Sequence, residues 1–259
     1  MSAVRSRRFP PQVCPDEPTF EKFFASLVTK FRYVFYCPGN HDLWVTSGER
    51  HHNSLEKFFG QLLLCDRLGV LTHPVRFADG VTICPLFSWY TVDFVEGAIE
   101  PWIRGFDAFC KWPAFLRDDD APEPRGDDAD VLVDGLLCSR FSTEPGVSAF
   151  MARLNESAVD AVANHGGGGV VITYSHFLPK AILFEGMGGF KALGHVMGDT
   201  RLLDQIKRLK SLVHVFGHSH QNVDAVLDGV RYVQNALGHP EEGHAAVHPA
   251  VVWDAGYQP

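Results

Sequence analysis

The sequence lacks an excess of basic residues. It carries 23 Lys and Arg against 31 Asp and Glu, for a formal charge of −8 at pH 7. General nucleic-acid binding requires a basic face, so we do not expect that class of function. A small anionic substrate is compatible with the composition, because a bound metal ion supplies local positive charge. The sequence also lacks an apolar run of the roughly 18–20 residues that a transmembrane helix needs, and no membrane partner is expected.

Paired cysteines are also absent. The six cysteines are scattered and none belongs to a CxxC pair. This predicts free thiols in a reducing compartment and hence a cytoplasmic location. The opening stretch MSAVRSRRFPPQV is rich in Arg and free of acidic residues, a composition that transit peptides share. We favour the alternative interpretation, in which residues 1–15 are an atypical, disordered segment or the product of a misplaced start.

The remaining chain has the size and patterning of one large α/β domain, with 259 residues of which 46% are hydrophobic. Helical periodicity occurs at 19–31, 54–69, 148–166 and 199–211. Apolar β-branched runs predict strands at 168–176 and 211–220, and Asp-Gly turns predict hairpins within 76–90 and 224–237. This alternation predicts a mixed-sheet α/β sandwich. The acidic, proline-rich stretch 117–130 is predicted to be a solvated insertion loop.

The second helical segment carries its own boundary signals. Ser54 is the predicted N-cap, and Gly69 is the predicted C-terminal stop.

Polar residues follow three of the apolar runs at the point where each run ends. Asn40 follows the run that begins at Val34, His176 follows the strand at 168–176, and His218 and His220 follow the strand at 211–220. Ligands of open α/β sheets bind at such strand ends. Imidazole nitrogen and amide oxygen suit Zn, Fe, Mn and related divalent ions. We therefore expect these four side chains to share one metal-binding crevice.

The neighbours of Asn40 have separate expected roles. His41 comes directly after a ligand on a tight turn, so it is expected to face the substrate, where it could protonate a leaving group or stabilise phosphoryl charge. Asp42 is expected to hold the turn by bonding to local backbone N–H groups. Most other histidines, including His195 and His214, are assigned to ordinary surface or loop contexts.

The order GNHD, then SH after a strand, then GHSH after another strand resembles the calcineurin-like metallophosphoesterases, from about Asp16 to about Pro240. The resemblance implies a four-layer αββα sandwich of two mixed sheets spanning residues 16–259. It implies that Asn40, His176 and His218 bind the second metal and that His220 binds the first. His41 would be the catalytic histidine. Members of the family hold two divalent ions, such as Mn, Fe or Zn.

Two motifs that open the family pattern, DxH and GDxxD, are missing here. In the family they supply ligands to one metal and the aspartate that bridges both. Counting back from GNHD puts Gln12 and Val13 at the Gly and the bridging Asp, and it puts Asp16 near the final Asp. In the family that last Asp hydrogen-bonds the catalytic histidine, so the resemblance implies that Asp16 orients His41. The first strand–helix segment would then be absent.

Two explanations for the missing motifs stay open: a gene-model or splice artefact, or a degraded paralogue with one metal or none. The leading functional hypothesis is a phosphoesterase that hydrolyses a small phosphorylated substrate, a phosphomonoester or phosphodiester, by attack of a metal-bound hydroxide. The alternatives are a non-catalytic binding or scaffold protein and a single-zinc hydrolase built on Asn40, His176 and His218. Seven aromatic side chains between Trp89 and Phe141 could line a substrate pocket or pack onto the core: Trp89, Tyr90, Phe94, Trp102, Phe106, Phe109 and Trp112.

Overall fold

A computed structural model describes residues 17–113, 116, 132–133, 136–137, 146–164, 169–184, 191–237 and 249–254. The predicted N-terminal segment 1–15, the residue Asp16 and the loop 117–130 lie outside the described residues. The domain boundary at residue 16 and the role of Asp16 therefore stay predictions. None of the helices in the described part of the chain combines the length and apolar character needed to cross a bilayer.

Four α-helices agree with the four periodic segments of the sequence. They are α1 (Glu17–Lys30), α2 (Ser54–Leu68), α3 (Val147–Asn164) and α4 (Arg201–Arg208). The N-cap prediction for α2 is wrong by one residue. Asn53 is the N-cap, because its side chain accepts the Glu56 backbone N–H at 2.9 Å. The stop at Gly69 is confirmed, since this residue takes the left-handed conformation with φ 76°.

The strands form one large mixed sheet and one small ribbon. In chain order they are β1 (Val75–Arg76), β2 (Thr82–Pro85), β3 (Leu132–Val133), β4 (Leu136–Leu137), β5 (Val171–Tyr174), β6 (Val213–Val215), β7 (Val223–Leu227) and β8 (Val230–Gln234). The large sheet has the order β1-β2-β5-β6-β8-β7, and β3 pairs with β4. The four central strands are parallel, and each edge strand is antiparallel to its neighbour.

Both predicted hairpins occur at the edges of this sheet. The β7–β8 turn has φ 51° at Asp228 and φ 78° at Gly229, as a type I′ turn requires. The β1–β2 turn passes through Gly80, with φ 88°. The predicted α/β class with a mixed sheet is thus confirmed. Outside the ladders, Phe35 forms a parallel bridge with Leu71, which places the chain just before Asn40 in extended conformation.

Hydrophobic side chains bury both faces of the large sheet. The main cluster combines Phe150 and Met151 of α3, Leu202 and Ile206 of α4 and Tyr232 of β8. A smaller cluster on the sheet includes Ile172, Val213 and Val233. This packing fixes the parallel strands β5 and β6, and the segments that follow them carry two of the predicted ligands.

Candidate metal centre

His176 and His218 follow neighbouring parallel strands, so the sheet brings them together. His176 comes two residues after β5, and His218 comes three residues after β6. The two segments stay paired beyond the strands, because the Gly217 backbone N–H donates to the His176 carbonyl at 3.0 Å. The carboxyl ends of parallel strands lie at one edge of a sheet. His176 and His218 therefore lie together at the edge where open α/β sheets bind their ligands.

Three of the predicted ligand atoms converge on one another. Nε2 of His176 lies 3.0 Å from Oδ1 of Asn40 and 3.2 Å from Nδ1 of His218. Asn40 is 2% exposed, so the meeting point lies within the protein. The sequence-based expectation that distant segments bring these side chains together is therefore met for Asn40, His176 and His218.

Hydrogen bonds on the far side of each group fix which atom faces the centre. Nε2 of His218 lies 2.9 Å from the Val196 carbonyl. A carbonyl only accepts, so this nitrogen carries the proton and Nδ1 presents a lone pair to the centre. The Asn40 amide nitrogen donates to Oδ1 of Asp107 at 2.9 Å, which leaves the amide oxygen facing His176. Such outer bonds orient ligands in metal sites.

The electrostatics of the centre favour neutral imidazoles. Burial, with smaller contributions from the nearby His41 and His220, lowers the pKa of His176 to about 3. Burial also holds the pKa of His218 well below its usual value, with a further contribution from His176, while the Val196 carbonyl acts in the opposite direction. Both rings are thus neutral at neutral pH, which is the protonation state that binds metal ions.

The GHSH segment has an unusual backbone. His218 has φ 68° and His220 has φ 53°, both in the left-handed region that non-glycine residues rarely occupy. Ser219, between them, is 1% exposed, and its hydroxyl lies 2.8 Å from the amide of Gln234 on β8. His220 lies close enough to lower the pKa of both His176 and His218. The segment therefore brings both of its imidazoles to the same region.

The GNHD turn is held by its own polar groups and by contact with His176. Asp42 accepts the Gly39 backbone N–H at 2.8 Å, which is the local bond predicted for it. A Cβ on Gly39 would lie 2.6 Å from Cε1 of His176, so only glycine fits here. His41 begins a short 3₁₀ helix, His41–Leu43, and its ring stacks on Trp44 at a centroid distance of 4.1 Å.

The residues at the centre fit a divalent ion as a set of three donors. Two ligands about 2.1 Å from a shared ion lie roughly 3.0–3.4 Å apart, and the observed spacings are 3.0 and 3.2 Å. The donors are an amide oxygen and two imidazole nitrogens. Among the described residues, no group of three or more His, Cys, Asp or Glu side chains is placed to hold a metal. Of the four predicted ligands, His220 is the one left for a second ion.

Sequence reasoning missed Asp107. This carboxylate is 9% exposed, and its Oδ1 accepts from both Asn40 Nδ2 and Trp44 Nε1, at 2.9 and 2.8 Å. Burial raises its pKa, and hydrogen bonds from Trp44, Asn40 and Tyr90 oppose that rise. No motif in the sequence marks Asp107, because Asn40 and Trp44 lie more than sixty residues away along the chain. The available sequence signal is its position as an acidic residue within a strongly aromatic stretch.

Two buried histidines were also misassigned. His214 is fully buried on β6, with ring nitrogens 2.8 Å from the Thr173 hydroxyl and 3.1 Å from the Ser175 hydroxyl. His195 is 3% exposed. The surface or loop context expected for both is therefore wrong. Side-chain hydroxyls on the next strand satisfy His214, and a sequence read one segment at a time does not reveal such partners.

The seven aromatic residues divide between the two interpretations. Trp89, Phe94 and Trp112 are buried and belong to the main cluster. Trp102 and Phe109 are 46% and 55% exposed. Phe109 packs on Trp44, and Phe106 contacts the ring of His218. Trp89, Phe94 and Trp112 therefore pack in the core, while Trp89, Tyr90 and Trp112 also line a cavity that reaches Asp107. Phe106 and Phe109 form an aromatic rim beside the centre.

The fold is thus a mixed α/β sheet with Asn40, His176 and His218 gathered beside its strand ends. The comparisons with known proteins agree with the predicted α/β fold and with the resemblance to calcineurin-like metallophosphoesterases.

One relative and one solved structure are similar over most of the chain. The chain is 26% identical over 227 residues to the acyl-carrier-protein phosphodiesterase PptH of Mycobacterium tuberculosis, covering 82% of the chain. The match spans 62% of the length of that relative. The crystal structure of phosphopantetheinyl hydrolase PptH from the same organism superposes with a TM-score of 0.65 at 21% identity, over 94% of this chain and 84% of that one. No protein-family model matches the chain.

Proposed function

We propose that the chain is a metal-dependent phosphodiesterase. Asn40, His176 and His218 would hold one divalent ion, and His220 would contribute to a second. The observation that carries this proposal is the position of His176 Nε2, which lies 3.0 Å from the Asn40 amide oxygen and 3.2 Å from His218 Nδ1. When bound, a divalent ion supplies positive charge to phosphoryl oxygens and lowers the pKa of water.

The protein's own side chains would orient the substrate and manage the proton. His41 stands next to the ligand Asn40 and is restrained by its stack on Trp44. A restrained imidazole at this position would donate a proton to the leaving oxygen and stabilise negative charge on the phosphoryl group. The buried, neutral rings of His176 and His218 would hold metal rather than carry protons. Asp16 stays a predicted partner that orients His41.

The substrate that we propose is a phosphodiester on a carrier protein. The names of the relative, an acyl-carrier-protein phosphodiesterase, and of the solved structure, a phosphopantetheinyl hydrolase, support this choice over a small phosphorylated molecule. The rim beside the centre supports a substrate with an apolar portion. Phe109 is 55% exposed, and the centroid of its ring lies 5.3 Å from that of Trp44. Carrier-protein and small substrates can be compared directly in one assay.

The test is metal content and hydrolysis measured on the same preparation. The chain is loaded with Mn, Fe or Zn, its bound metal is measured, and it is assayed with phosphopantetheinylated carrier protein, bis(p-nitrophenyl) phosphate and p-nitrophenyl phosphate. We expect bound metal, and we expect faster hydrolysis of the diesters than of the monoester. His176→Ala and His218→Ala should lose both metal and activity. His73→Ala, a substitution at an exposed histidine away from the centre, should retain both.

A non-catalytic binding protein is the second candidate. The donor set of Asn40, His176 and His218 contains no carboxylate to offset two adjacent dications, and this observation favours it. A wild-type chain that retains no metal and cleaves none of the three substrates would refute the phosphodiesterase and leave this candidate. Stoichiometric metal with diester hydrolysis would exclude it.

A further inference from the structure

Residues 106–110 form a wall along the Asn40 side of the centre. Phe106 contacts the ring of His218, and Phe109 packs on Trp44. The Cys110 thiol lies 3.7 Å from the Asn40 carbonyl. The wall is attached to the neighbouring chain, because the Val45 backbone N–H donates to the Phe109 carbonyl at 2.9 Å. Asp107 lies in the middle of this wall, between two aromatic residues that contact the site.

One oxygen of the Asp107 carboxylate accepts two hydrogen bonds. Its Oδ1 accepts from Asn40 Nδ2 at 2.9 Å and from Trp44 Nε1 at 2.8 Å. A carboxamide has an oxygen end and a nitrogen end of nearly the same shape, so its orientation is set by its hydrogen-bond partners. With the nitrogen held by a carboxylate, the oxygen must face His176. Turned the other way, Asn40 would present N–H groups where a cation needs a lone pair.

We propose that Asp107 is the positioning residue that fixes Asn40 as an oxygen donor, an inference that rests on the proposed metal centre. Asp107 also holds the indole of Trp44, on which the His41 ring stacks. One carboxylate thus sets the orientation of a ligand and of the surface that supports the neighbouring histidine. The bonds to Asn40 and Trp44 are buried, and a hydrogen bond is electrostatically stronger in the protein interior than in water.

The test compares Asp107→Leu with Asp107→Asn, using Mn²⁺ alone as the probe. Leu removes the acceptor at similar volume, so the Kd for Mn²⁺ should rise about tenfold or more, the range measured when outer partners of metal ligands are removed. Asn keeps one carbonyl oxygen able to accept both N–H groups, and its Kd should stay within about threefold of wild type. Equal affinities of wild type and Asp107→Leu would overturn the inference. So would a loss in Asp107→Asn as large as that in Asp107→Leu, since the role would then be charge rather than orientation.

A matched control separates positioning from general destabilisation. Asp199 is 2% exposed, and its carboxylate is bonded by Ser148 and Arg201, neither of which is a predicted ligand. Asp199→Leu therefore removes a buried carboxylate elsewhere, and its Mn²⁺ affinity should match wild type. If it weakens Mn²⁺ binding as much as Asp107→Leu does, the inference fails.

A measurement on the wild-type protein keeps the inference testable if Asp107→Leu does not fold. In ¹⁵N-resolved NMR spectra, the Asn40 side-chain proton bonded to Asp107 should exchange with water at least tenfold more slowly than exposed asparagine amides. Fast exchange of that proton would overturn the inference. Absence of Mn²⁺ binding to the wild type would instead refute the proposed function. That outcome differs from failure of the inference, because the Asn40 proton would still exchange slowly.

Discussion

The two sides of the metal centre are built by different means. On the histidine side, His176 and His218 follow neighbouring parallel strands, and backbone hydrogen bonds continue up to His176. On the amide side, Asn40 follows a single bridge at Phe35, and side-chain bonds from a segment more than sixty residues away fix its orientation. Backbone ladders hold position whatever the side chains are. The amide side depends on a few specific groups and is therefore the side on which single substitutions should act most strongly.

The largest expected effect is at His41. His41→Gln should lower kcat about 10²–10⁴-fold, because it removes a group positioned for proton transfer. Bound metal should stay at the wild-type level, since the three converging donors are untouched. The measurement is kcat for bis(p-nitrophenyl) phosphate together with metal content. A fall in metal content that parallels the fall in rate would assign His41 to metal binding instead.

Gly39 tests the contact where the two sides meet. A Cβ there would lie 2.6 Å from Cε1 and 2.7 Å from Nδ1 of His176. Gly39→Ala should displace the ring, and a misplacement of this size costs about 100-fold in kcat/KM. Gly105→Ala is the matched control, because nothing lies within 4 Å of its added Cβ. Similar activities of these two variants would mean that the His176 ring can shift without a loss of activity.

His214 tests the sheet below the histidine side through its pH dependence. Burial lowers its pKa to about 3, whereas the unfolded chain protonates near 6.5. The unfolded state therefore binds more protons below pH 6.5, and stability is complete above that pH and falls as pH drops toward 3. The loss from pH 8 to pH 5 should be about 2 kcal/mol for this group.

Urea unfolding at pH 8 and pH 5 measures this effect. His214→Gln should reduce the loss of unfolding free energy between the two pH values by about 2 kcal/mol. His73→Gln, at an exposed position, is the comparison and should leave the loss unchanged. An unaltered pH dependence in His214→Gln would show that this ring is not held neutral by burial.

The smallest expected effect is at the start of α2, which supports the amide side. Asn53 caps this helix, and Ser54 exchanges hydrogen bonds with Lys111, next to the wall at residues 106–110. Asn53→Ala should lower the free energy of unfolding by about 1 kcal/mol, and Asn53→Ser should restore most of it. Chemical denaturation checks both. If Ala and Ser behave alike, Glu56 and not Asn53 carries the cap.

Local signals in the sequence were sufficient for the elements and for the histidine side. Gly69 and the pair Asp228-Gly229 need left-handed backbone, which is a property of the residues themselves. His176 and His218 could be predicted because each follows an apolar run. The predicted N-cap of α2 was wrong by one residue because Asn53 and Ser54 are both good N-cap residues.

The rest of the site depends on contacts that no local pattern encodes. Asp107 meets Asn40 across 67 positions of chain, and its neighbours show neither helical nor strand periodicity. His214 interrupts an apolar strand, and its hydroxyl partners are Thr173 on β5 and Ser175 just after that strand. In both cases the polar group is satisfied only after the chain has folded, so its role follows from tertiary structure.

The left-handed backbone at His218 and His220 has a consequence for binding kinetics. Both residues adopt their uncommon dihedral angles in the folded chain itself, so the conformational cost is met during folding. An arriving cation then meets a preorganised loop and has little reordering to drive. Association should accordingly be fast and limited by loss of the ion's own hydration shell, and differences in affinity among variants of this loop should emerge in the dissociation rate.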